Sequence, residues 1–571
     1  MPLTTSLYTG LTGMQTNSQM LDVVGNNIAN VNTNAFKKSR AQFETQISAT
    51  LSSGSRPTAD LGGTNPAQIG LGTRLAAIRR DFSAGGLQPT GQATDNAVEG
   101  AGFFIVEDGG SQRYTRDGAF ALDRDFNLVT NGGARVQGYG VDGEFNVVEG
   151  VLESMNIPLG VLTIAEPTGE VNFAGNLNAG GDAATVGTII QSQALFADAA
   201  NTTAADGTTL LTSLFDDTSG IPLFATNDVL TVTGASKGGA TLSDQAFTVS
   251  AADPGDGSAF GTTVQDILDF YNDVLGIDDT QPTGSVTIDA GGVINLNGNL
   301  GAGNDFVFDD GNAVNNLGVA PDLPFQFTKT QEADGESART TFVIFDSLGE
   351  PLQVDLTLVL EEKTNNGTQW RFYAQSEDDT DLDRHMSSGV LNFNNEGQLV
   401  TTTDTLVTIN RDNTGALTPQ SFDLTFEDQF GSLTALFDVR SQINAISQDG
   451  TALGTLEDFS VSEDGTITGV FSNSLLRDLG RIPLALFSNP EGLLETGGNT
   501  YRTTPNSGDA IIVAAGSSGS GRVIGRALEI SNVELSEEFI NLISAQTGFS
   551  ANSRVITTSQ QLIQELLASI R

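Results

Sequence analysis

The sequence contains no cysteine, and it has a single histidine and a single tryptophan. Without cysteine, a disulfide framework, thiolate metal ligands and thiol nucleophiles are all excluded. Basic residues are also scarce, at 26 lysines and arginines against 70 acidic residues, which gives a formal net charge of −44. Nucleic acids and anionic membrane surfaces attract clustered cationic side chains, so this charge balance argues against both as partners.

Long apolar runs are missing as well. No stretch approaches the roughly 20 apolar residues of a membrane span, and the first residues have neither the basic nor the apolar region of a cleaved signal peptide. We therefore expect no membrane insertion, and either a cytosolic protein or one exported without a cleaved signal. Glycine, at 66 residues, exceeds its usual share of about 7% and predicts many short strands joined by tight turns.

Motifs for catalysis or cofactor binding are weak. Residues 138–143 match G-x-G-x-x-G, but strand-like residues follow where a dinucleotide fingerprint needs a helix, so we expect a hairpin turn. Residues 123–127 resemble the start of a calcium loop without its glycine and its bidentate glutamate, and a turn is expected there too. His385 has no accompanying G-x-S-x-G motif, and we expect it in a solvent-facing loop beside the solvated acidic stretch 377–383. The sequence predicts no enzyme, no metal and no cofactor.

Both ends of the chain carry heptad patterns. Positions spaced alternately by three and four residues are mostly apolar, which is typical of a helix that buries one narrow stripe against another helix. Ser536, with Glu537 and Glu538, predicts a cap and favourable charge for the start of the second helix. A pair of core helices in one globular domain is the alternative, but so narrow a stripe buries little, and copies of the chain could complete it. The predicted assembly seam consists of Leu3, Leu7, Met14, Leu21, Val24, Ile28, Val31, Leu535, Phe539, Leu542, Phe549, Ile556, Ile563, Leu567 and Ile570.

Between the helices, short β-type runs alternate with turns. Residues 136–328 contain one basic residue, Lys237, against 25 acidic residues, and one helical patch at 263–275. The sequence predicts a multidomain, mainly β fold, in which two long terminal α-helices pair as a coiled-coil-like inner domain with stacked β-rich outer domains. The predicted domains are residues 1–31 with 535–571 (terminal helical inner domain), 32–70 (linker), 71–150 with 435–534 (β-rich core domain), 151–177 with 326–434 (β-rich middle domain) and 178–325 (inserted acidic outer domain).

Several segments resemble a known family. Residues 6–14 (SLYTGLTGM) and 21–33 (LDVVGNNIANVNT) resemble the N-terminal signature of flagellar rod, hook and hook-associated proteins. Residues 114–120 (YTRDGAF) resemble the core domain of rod and hook proteins, and residues 527–535 (ALEISNVEL) resemble the C-terminal signature. Residues 345–349 (FDSLG) resemble a hook-type middle domain that rod proteins lack. Ala35 stands where the family usually has glycine.

The resemblance implies a structural subunit of the bacterial flagellar hook. Copies of the chain would form a flexible curved tube, a universal joint that transmits torque from the rod to the filament, with the terminal helices lining an export channel. The implied partners are further copies of the chain, the distal rod protein, the hook cap, the hook-filament junction protein and the flagellar type III export apparatus. The implied location is the extracellular hook, reached without a cleaved signal peptide. A distal rod or hook-associated protein is the alternative, and a secreted adhesin would not need the terminal heptads.

Overall fold

The computed structural model describes residues 2–218, 220–255, 258–308, 313–315, 323–428, 431–437, 439–517 and 519–569. The chain divides into two compact units, Met1–Thr163 with Thr455–Arg571 and Ile164–Gly454. It therefore leaves the first unit once and later returns to complete it. The predicted fold class is confirmed, because strands predominate and the two long helices lie at the chain ends and pack together.

The first part of the first unit contains one helix and twelve strands. The helix is α1 (Pro2–Ala29). The strands are β1 (Ser39–Thr45), β2 (Ser48–Ser52), β3 (Ala67–Gly70), β4 (Thr73–Arg80), β5 (Leu87–Pro89), β6 (Asn96–Glu99), β7 (Phe103–Asp108), β8 (Ser111–Thr115), β9 (Phe120–Leu122), β10 (Leu128–Thr130), β11 (Arg135–Gly138) and β12 (Glu153–Ser154).

The second unit is built from strands and a single α-helix within its described residues, α2 (Val264–Val274). Its strands before α2 are β13 (Thr163–Glu166), β14 (Glu170–Asn178), β15 (Gly187–Ala194), β16 (Val229–Val232), β17 (Ser236–Lys237), β18 (Ala240–Thr241), β19 (Gln245–Val249) and β20 (Ala259–Gly261). Those after α2 are β21 (Ser285–Ile288), β22 (Val293–Leu300), β23 (Phe306–Val307), β24 (Ala313–Asn315), β25 (Thr328–Gln331), β26 (Ser337–Phe345), β27 (Pro351–Thr364), β28 (Gly367–Ser376), β29 (His385–Asn394), β30 (Leu399–Thr402), β31 (Leu406–Ile409), β32 (Gln420–Thr425), β33 (Glu427–Asp428), β34 (Gly431–Leu436) and β35 (Gln442–Gln448).

The returning chain adds nine strands and the last helix. The strands are β36 (Thr451–Val461), β37 (Thr466–Phe471), β38 (Leu476–Arg481), β39 (Leu484–Leu486), β40 (Leu494–Gly497), β41 (Thr500–Arg502), β42 (Ile511–Val513), β43 (Arg522–Gly525) and β44 (Ala527–Glu529). The helix is α3 (Leu535–Ser569).

The main sheet of the first unit joins the two chain segments. β39 pairs with β7, and β41 pairs with β8, so residues near 485 and 500 lie beside residues near 104 and 115. Aromatic rings meet edge to face in the core behind this sheet, with Phe103 5.5 Å from Phe487 and Tyr114 4.8 Å from the same ring. Such pairs contribute about 0.5–1.5 kcal/mol each beyond the area they bury. The first unit is therefore complete only when the C-terminal segment has been made.

The described residues of the second unit include two large hydrophobic cores. One lies between the antiparallel sheet β26-β27-β28-β29-β30 and the sheet that contains β14, β32 and β34, where Phe173 meets Phe342 at 5.1 Å. The other surrounds α2 and is formed by residues between 190 and 327. We call residues 187–331 the inserted module and residues 164–186 with 332–454 the host.

The sequence places α2 correctly, and its start is capped as such a helix requires. The side chain of Thr263 accepts a hydrogen bond from the backbone of Asp266, and the Asp266 carboxylate accepts one from the backbone N–H of Thr263. This reciprocal pair satisfies N–H groups that have no partner inside the helix. The apolar residues between 264 and 274 are buried in the module core.

Three boundaries differ from those expected. Residues 32–70 were predicted as a linker but contain β1, β2 and β3. The predicted core segment begins at 435, yet the strands between 431 and 448 pair with β14 in the second unit. Ser536 was predicted to cap α3, whereas the helix already begins at Leu535 and includes it. Within the described residues, no helix is both long and apolar enough to cross a membrane.

Candidate assembly surface

The terminal helices α1 and α3 pack side by side in antiparallel orientation. A Cβ atom built on Gly10 would lie 2.9 Å from Cγ1 of Ile556, and one on Gly548 would lie 2.6 Å from Oδ1 of Asn17. At the other end of the pair, Asn27 Nδ2 donates a hydrogen bond of 3.2 Å to Glu538 Oε1. Residue numbers in α1 therefore increase along the pair while those of the contacting residues in α3 decrease, over most of the length of α1.

Small and polar residues make the contact between the two helices. Gly13 lies against Asn552, whose side-chain nitrogen would be 2.7 Å from a Cβ at that glycine. The absence of a side chain at such positions lets helix backbones approach closely. The buried residues of α3 are Glu538, Ala545 and Ser559, which are spaced by multiples of seven. The pair is therefore narrow, and large apolar side chains contribute little to its centre.

The predicted seam was chosen by apolar residues, and it therefore includes a row of α3 that does not contact α1. In α3 the buried residues lie one position before the predicted Phe539 row, which points outward. Half-buried seam residues are Leu7, Met14, Leu21, Ile28, Leu542, Ile556 and Ile563, and Val24 is buried. Exposed seam residues are Leu535, Phe539, Phe549 and Leu567. Val31 lies beyond the end of α1, and the side chain of Leu3 and the whole of Ile570 lie outside the described residues.

The exposed side of α3 carries an apolar surface near its start. Phe539, Ile540 and Ile543 are 52%, 65% and 60% exposed. Large apolar side chains in such proximity on a helix surface are typical of a protein contact. Sequence analysis included Phe539 but missed the two isoleucines, because they fall outside the strict heptad positions.

The hairpin of β2 and β3 presents a second exposed apolar surface. All residues of both strands are exposed, and Leu51 and Leu61 are 69% and 74% exposed. Just after the hairpin, at the start of β4, the hydroxyl oxygen of Thr73 lies 3.2 Å from that of Thr16 in α1. Sequence analysis treated this region as a linker, since its serine and glycine content hid the strands.

A buried ion pair fixes the point where the helices join the β region. Lys37 Nζ lies 2.6 Å from Glu529 Oε1, and both side chains are fully buried. The same ammonium group donates to the carbonyl of Ser83 at 2.8 Å. Burial lowers the pKa of Lys37, and the adjacent Glu529 carboxylate opposes this shift. Removing either partner of such a pair by substitution leaves the other charge buried and uncompensated, which is strongly destabilising.

The backbone conformation of the turn before Lys37 shows why the family usually has glycine at the position of Ala35. This residue has a φ of 54°, in the left-handed region that favours glycine. Its backbone N–H donates a 2.7 Å hydrogen bond to the carbonyl of Glu529. This hydrogen bond holds Ala35 in an unfavourable backbone conformation next to the buried ion pair.

The prediction for His385 was wrong. It begins β29 instead of lying in a loop, it is half-buried, and its Nε2 is 3.8 Å from Asp278 Oδ2. Burial lowers its pKa, although Asp278 opposes the shift. In the neighbouring acidic stretch, Glu377 and Asp381 are exposed as expected, whereas Asp379 is half-buried and burial raises its pKa to about 7. No group of three or more histidine, aspartate or glutamate side chains in the described part of the chain could hold a metal ion.

Four family models match the chain. They are "Flagella basal body rod protein" at residues 7–37, "Flagellar hook protein FlgE/F/G D1 domain" at 97–173, "Flagellar basal body protein FlaE D2 domain" at 314–451 and "Flagellar basal body rod FlgEFG protein C-terminal" at 525–569. The flagellar hook protein FlgE of Borreliella burgdorferi is 31% identical, and the match covers 98% of each chain. The chain belongs to the flagellar hook protein family.

Further hook-family relatives match over similar lengths. The flagellar hook protein FlgE of Treponema pallidum is 29% identical over 99% of both chains, and that of Escherichia coli is 27% identical over 98% of both. The chain is a structural subunit of the flagellar hook, and the rod alternative is not favoured. The hook family is structural and is not a known family of enzymes.

Proposed function

We propose that this chain polymerises into the hook tube through α1 and α3, and that the outward-facing apolar residues of α3 contact neighbouring copies. The observation that supports this proposal is the length of α3 compared with what it buries. It has 35 residues, of which only Glu538, Ala545 and Ser559 are buried. A helix pair with so little apolar burial is marginal alone and gains stability from neighbours.

The proposed polymer is a flexible curved tube that acts as a universal joint and transmits torque from the rod to the filament. A bent tube that rotates must change its subunit contacts in every turn, which small shifts between packed elements accomplish. The tube would enclose the export channel, and subunits would arrive through the type III apparatus without a cleaved signal peptide. Its end contacts would be the distal rod protein, the hook cap and the hook-filament junction protein.

The proposed layering places residues 1–31 and 535–571 innermost and 178–325 outermost. The β-rich core domain (71–150 with 435–534) and middle domain (151–177 with 326–434) would lie between them. The separate hydrophobic clusters of the two units and of the inserted module support this division. The strands from 431 to 448 favour moving the boundary near 435 to about 454.

We assign the chain no catalytic role, no cofactor, no nucleic-acid partner and no membrane insertion. The formal net charge of −44 supports the exclusion of nucleic acid, because a polyanion is repelled by a surface of its own sign.

The substitution Phe539→Asp tests the proposed contact. It places a charge where a neighbouring copy would bury the ring, at a cost of several kcal/mol in every repeated contact. We expect hooks to disappear from electron micrographs of cells, while the variant still reaches the culture medium. The melting temperature of the monomer should not change, because Phe539 is 52% exposed.

Phe539→Leu is the matched control, since it changes the same exposed position but keeps the side chain apolar. Cells with this variant should assemble hooks. Normal hooks from Phe539→Asp, or loss of hooks from both variants, would contradict an assembly contact through this row.

A further inference from the structure

The inserted module and the host keep their hydrophobic cores separate. The core of the module contains residues from 190 to 327 only, and that of the host contains residues from 171 to 177 and from 338 to 443. The two cores have no residue in common. A segment with a core of its own can stay folded while its position relative to its neighbour changes.

Among the described residues, the hydrophobic clusters connect the two parts through two small apolar patches. Leu382 of the host packs against the edge of the module core. Leu300 of the module packs against a cluster of Ala184, Val359 and Tyr373. Domain interfaces that lack a large apolar area are the ones at which domains move.

The module enters and leaves the host through two adjacent strands. β15 carries the chain in, β25 carries it out, and the two pair antiparallel, with Ile189 opposite Gln331 and Gln191 opposite Thr328. The two covalent connections therefore lie side by side. A single strand pair resists separation but permits rotation about its own length, as hinge segments do.

Arg339 of the host holds one edge of the module. Its Nη1 donates to the carbonyl oxygens of Lys237 at 2.9 Å and Gly238 at 3.0 Å. Its Nη2 donates to Asp355 Oδ2 at 2.7 Å, which anchors the guanidinium on the host sheet. A planar guanidinium that bonds to the module on one side and to the host on the other fixes the orientation of the two parts as well as their distance.

Arg384 holds a second point of the module in the same manner. Its Nη2 donates to the carbonyl of Ser243 at 3.0 Å and to the hydroxyl of the same residue at 2.5 Å. The backbone N–H of Ser243 in turn donates to Glu377 Oε1 at 3.1 Å. Further polar contacts come from the Ser388 hydroxyl, which donates to Asp278 Oδ2 at 2.7 Å, and from the backbone N–H of Arg384, which donates to the carbonyl of Asp273 at 3.2 Å.

A cavity of about 180 Å³ lies between these contacts, and both arginines line it together with Gln375, Leu242 and Leu275. Arg384 Nη1 is 3.6 Å from Glu377 Oε1 and makes no hydrogen bond within the described residues. A polar cavity of this size accommodates water molecules. Water can replace the hydrogen bonds of an opening polar contact, whereas an apolar core has no such substitute.

We infer that the inserted module is an articulated domain that turns on the host about the β15–β25 pair, and that Arg339 and Arg384 form the latch that holds the orientation described above. This property resides within one chain and reaches beyond the proposed function, because it requires no polymer. It assigns the two arginines a mechanical role in positioning the module.

The absence of native cysteine allows a direct test in the full-length monomer. Thr226→Cys in an exposed turn of the module and Asn366→Cys in an exposed turn of the host provide two sites for fluorescent labels. Single-molecule energy transfer should give one narrow distance distribution for this labelled protein. Adding Arg339→Gln and Arg384→Gln should broaden the distribution at least twofold, while the module core remains protected from amide exchange.

Arg371→Gln is the matched control. This arginine pairs with Glu361 on the same host sheet, at 3.2 Å, so its salt bridge lies within the host. It should leave the distribution narrow. An unchanged distribution in the double variant would overturn the latch, and loss of amide protection in the module core would overturn its independence from the host.

Discussion

The two long terminal helices and the short internal helix follow opposite rules of packing. α2 has 11 residues and buries Val264, Ile267, Leu268, Phe270, Tyr271 and Val274. α3 is three times as long and buries one acidic and two small side chains. A helix that completes a core inside its own subunit uses large apolar residues, and α3 leaves such residues exposed. The difference is what the proposed assembly requires, since side chains that serve a neighbour must stay accessible in the monomer.

The same substitution in the two helices should give the largest contrast. Phe270→Ala removes a ring that is 2% exposed from the module core, and we expect a loss of about 3–5 kcal/mol in the free energy of unfolding. Phe539→Ala should change the stability of the monomer by less than about 0.5 kcal/mol, as is usual for surface positions. Urea unfolding of both monomers measures the difference. Equal losses would show that α3 is packed within its own subunit as tightly as α2.

A basic residue at the C-terminal end of α2, absent from the described end of α3, should have an intermediate effect on stability. α2 ends beneath Lys237, whose Nζ donates to the carbonyl oxygens of Leu275 at 2.9 Å and Gly276 at 2.7 Å. Burial lowers the pKa of this ammonium group to about 7, and Arg339 and Arg384 add to the shift. The described last turn of α3 contains no basic residue.

Lys237→Met should therefore change how stability depends on pH. The lysine has a lower pKa in the folded than in the unfolded protein, so the unfolded state binds more protons between about pH 7 and the ordinary value of 10.5. The stability of the natural protein consequently rises with pH through this window. The variant should lack this contribution, which amounts to at most about 1.4 kcal/mol per pH unit. Denaturation at pH 7, 8 and 9 tests it, with the exposed Lys363→Met as control, and identical slopes for all three proteins would refute the effect.

Glycine substitutions in the helix pair should have the smallest effect. A Cβ at Gly25 meets no atom within 4 Å, so Gly25→Ala should stabilise α1 by up to about 1 kcal/mol. The Cβ of Gly548→Ala would lie 2.6 Å from Asn17 Oδ1. Overpacking there should cost about 1–3 kcal/mol of stability, which exceeds the gain in helix propensity from replacing glycine by alanine. Amide exchange of α1 and α3 should slow in the first variant and quicken in the second. Slower exchange in both would mean that the two helices do not touch at Gly548.

The sequence predicts the kinds of element better than their partners. The periodicity of residues 263–275 identifies α2 because its apolar face is wide and its cap is local. The terminal heptads identify α1 and α3 for another reason: their stripe is narrow, but the alternate three- and four-residue spacing recurs over many turns. The fully buried row of α3 was not predicted, since Ala545 and Ser559 carry no apolar signal. The predicted seam residue Ile556 does contact α1, where it lies against Gly10. Whether the predicted seam forms the contact between subunits remains a prediction.

Long-range polar contacts were beyond prediction. Lys37 is one of five lysines and Glu529 is one of many glutamates, and nothing local reveals that they form a buried pair. His385 stands beside an acidic stretch that suggests solvent, although Asp278, over a hundred positions earlier, lies next to it in the fold. Such contacts depend on topology, which composition and periodicity do not specify. The same applies to the hairpin of β2 and β3, whose strands have no buried face to impose an alternating pattern.

The antiparallel pairing of α1 with α3 also imposes an order in time on the making of the protein. Asn27 and Glu538, which share a hydrogen bond, are 511 positions apart. A ribosome therefore finishes α1 near the beginning of translation and α3 at its end, and contacts so distant in sequence form late in folding. Throughout that interval α1 can contact β1 and β4 but lacks α3, while the inserted module and the host can already fold. A chain released before residue 535 would carry folded β regions without the helix pair, so the pair distinguishes a finished subunit from a truncated one.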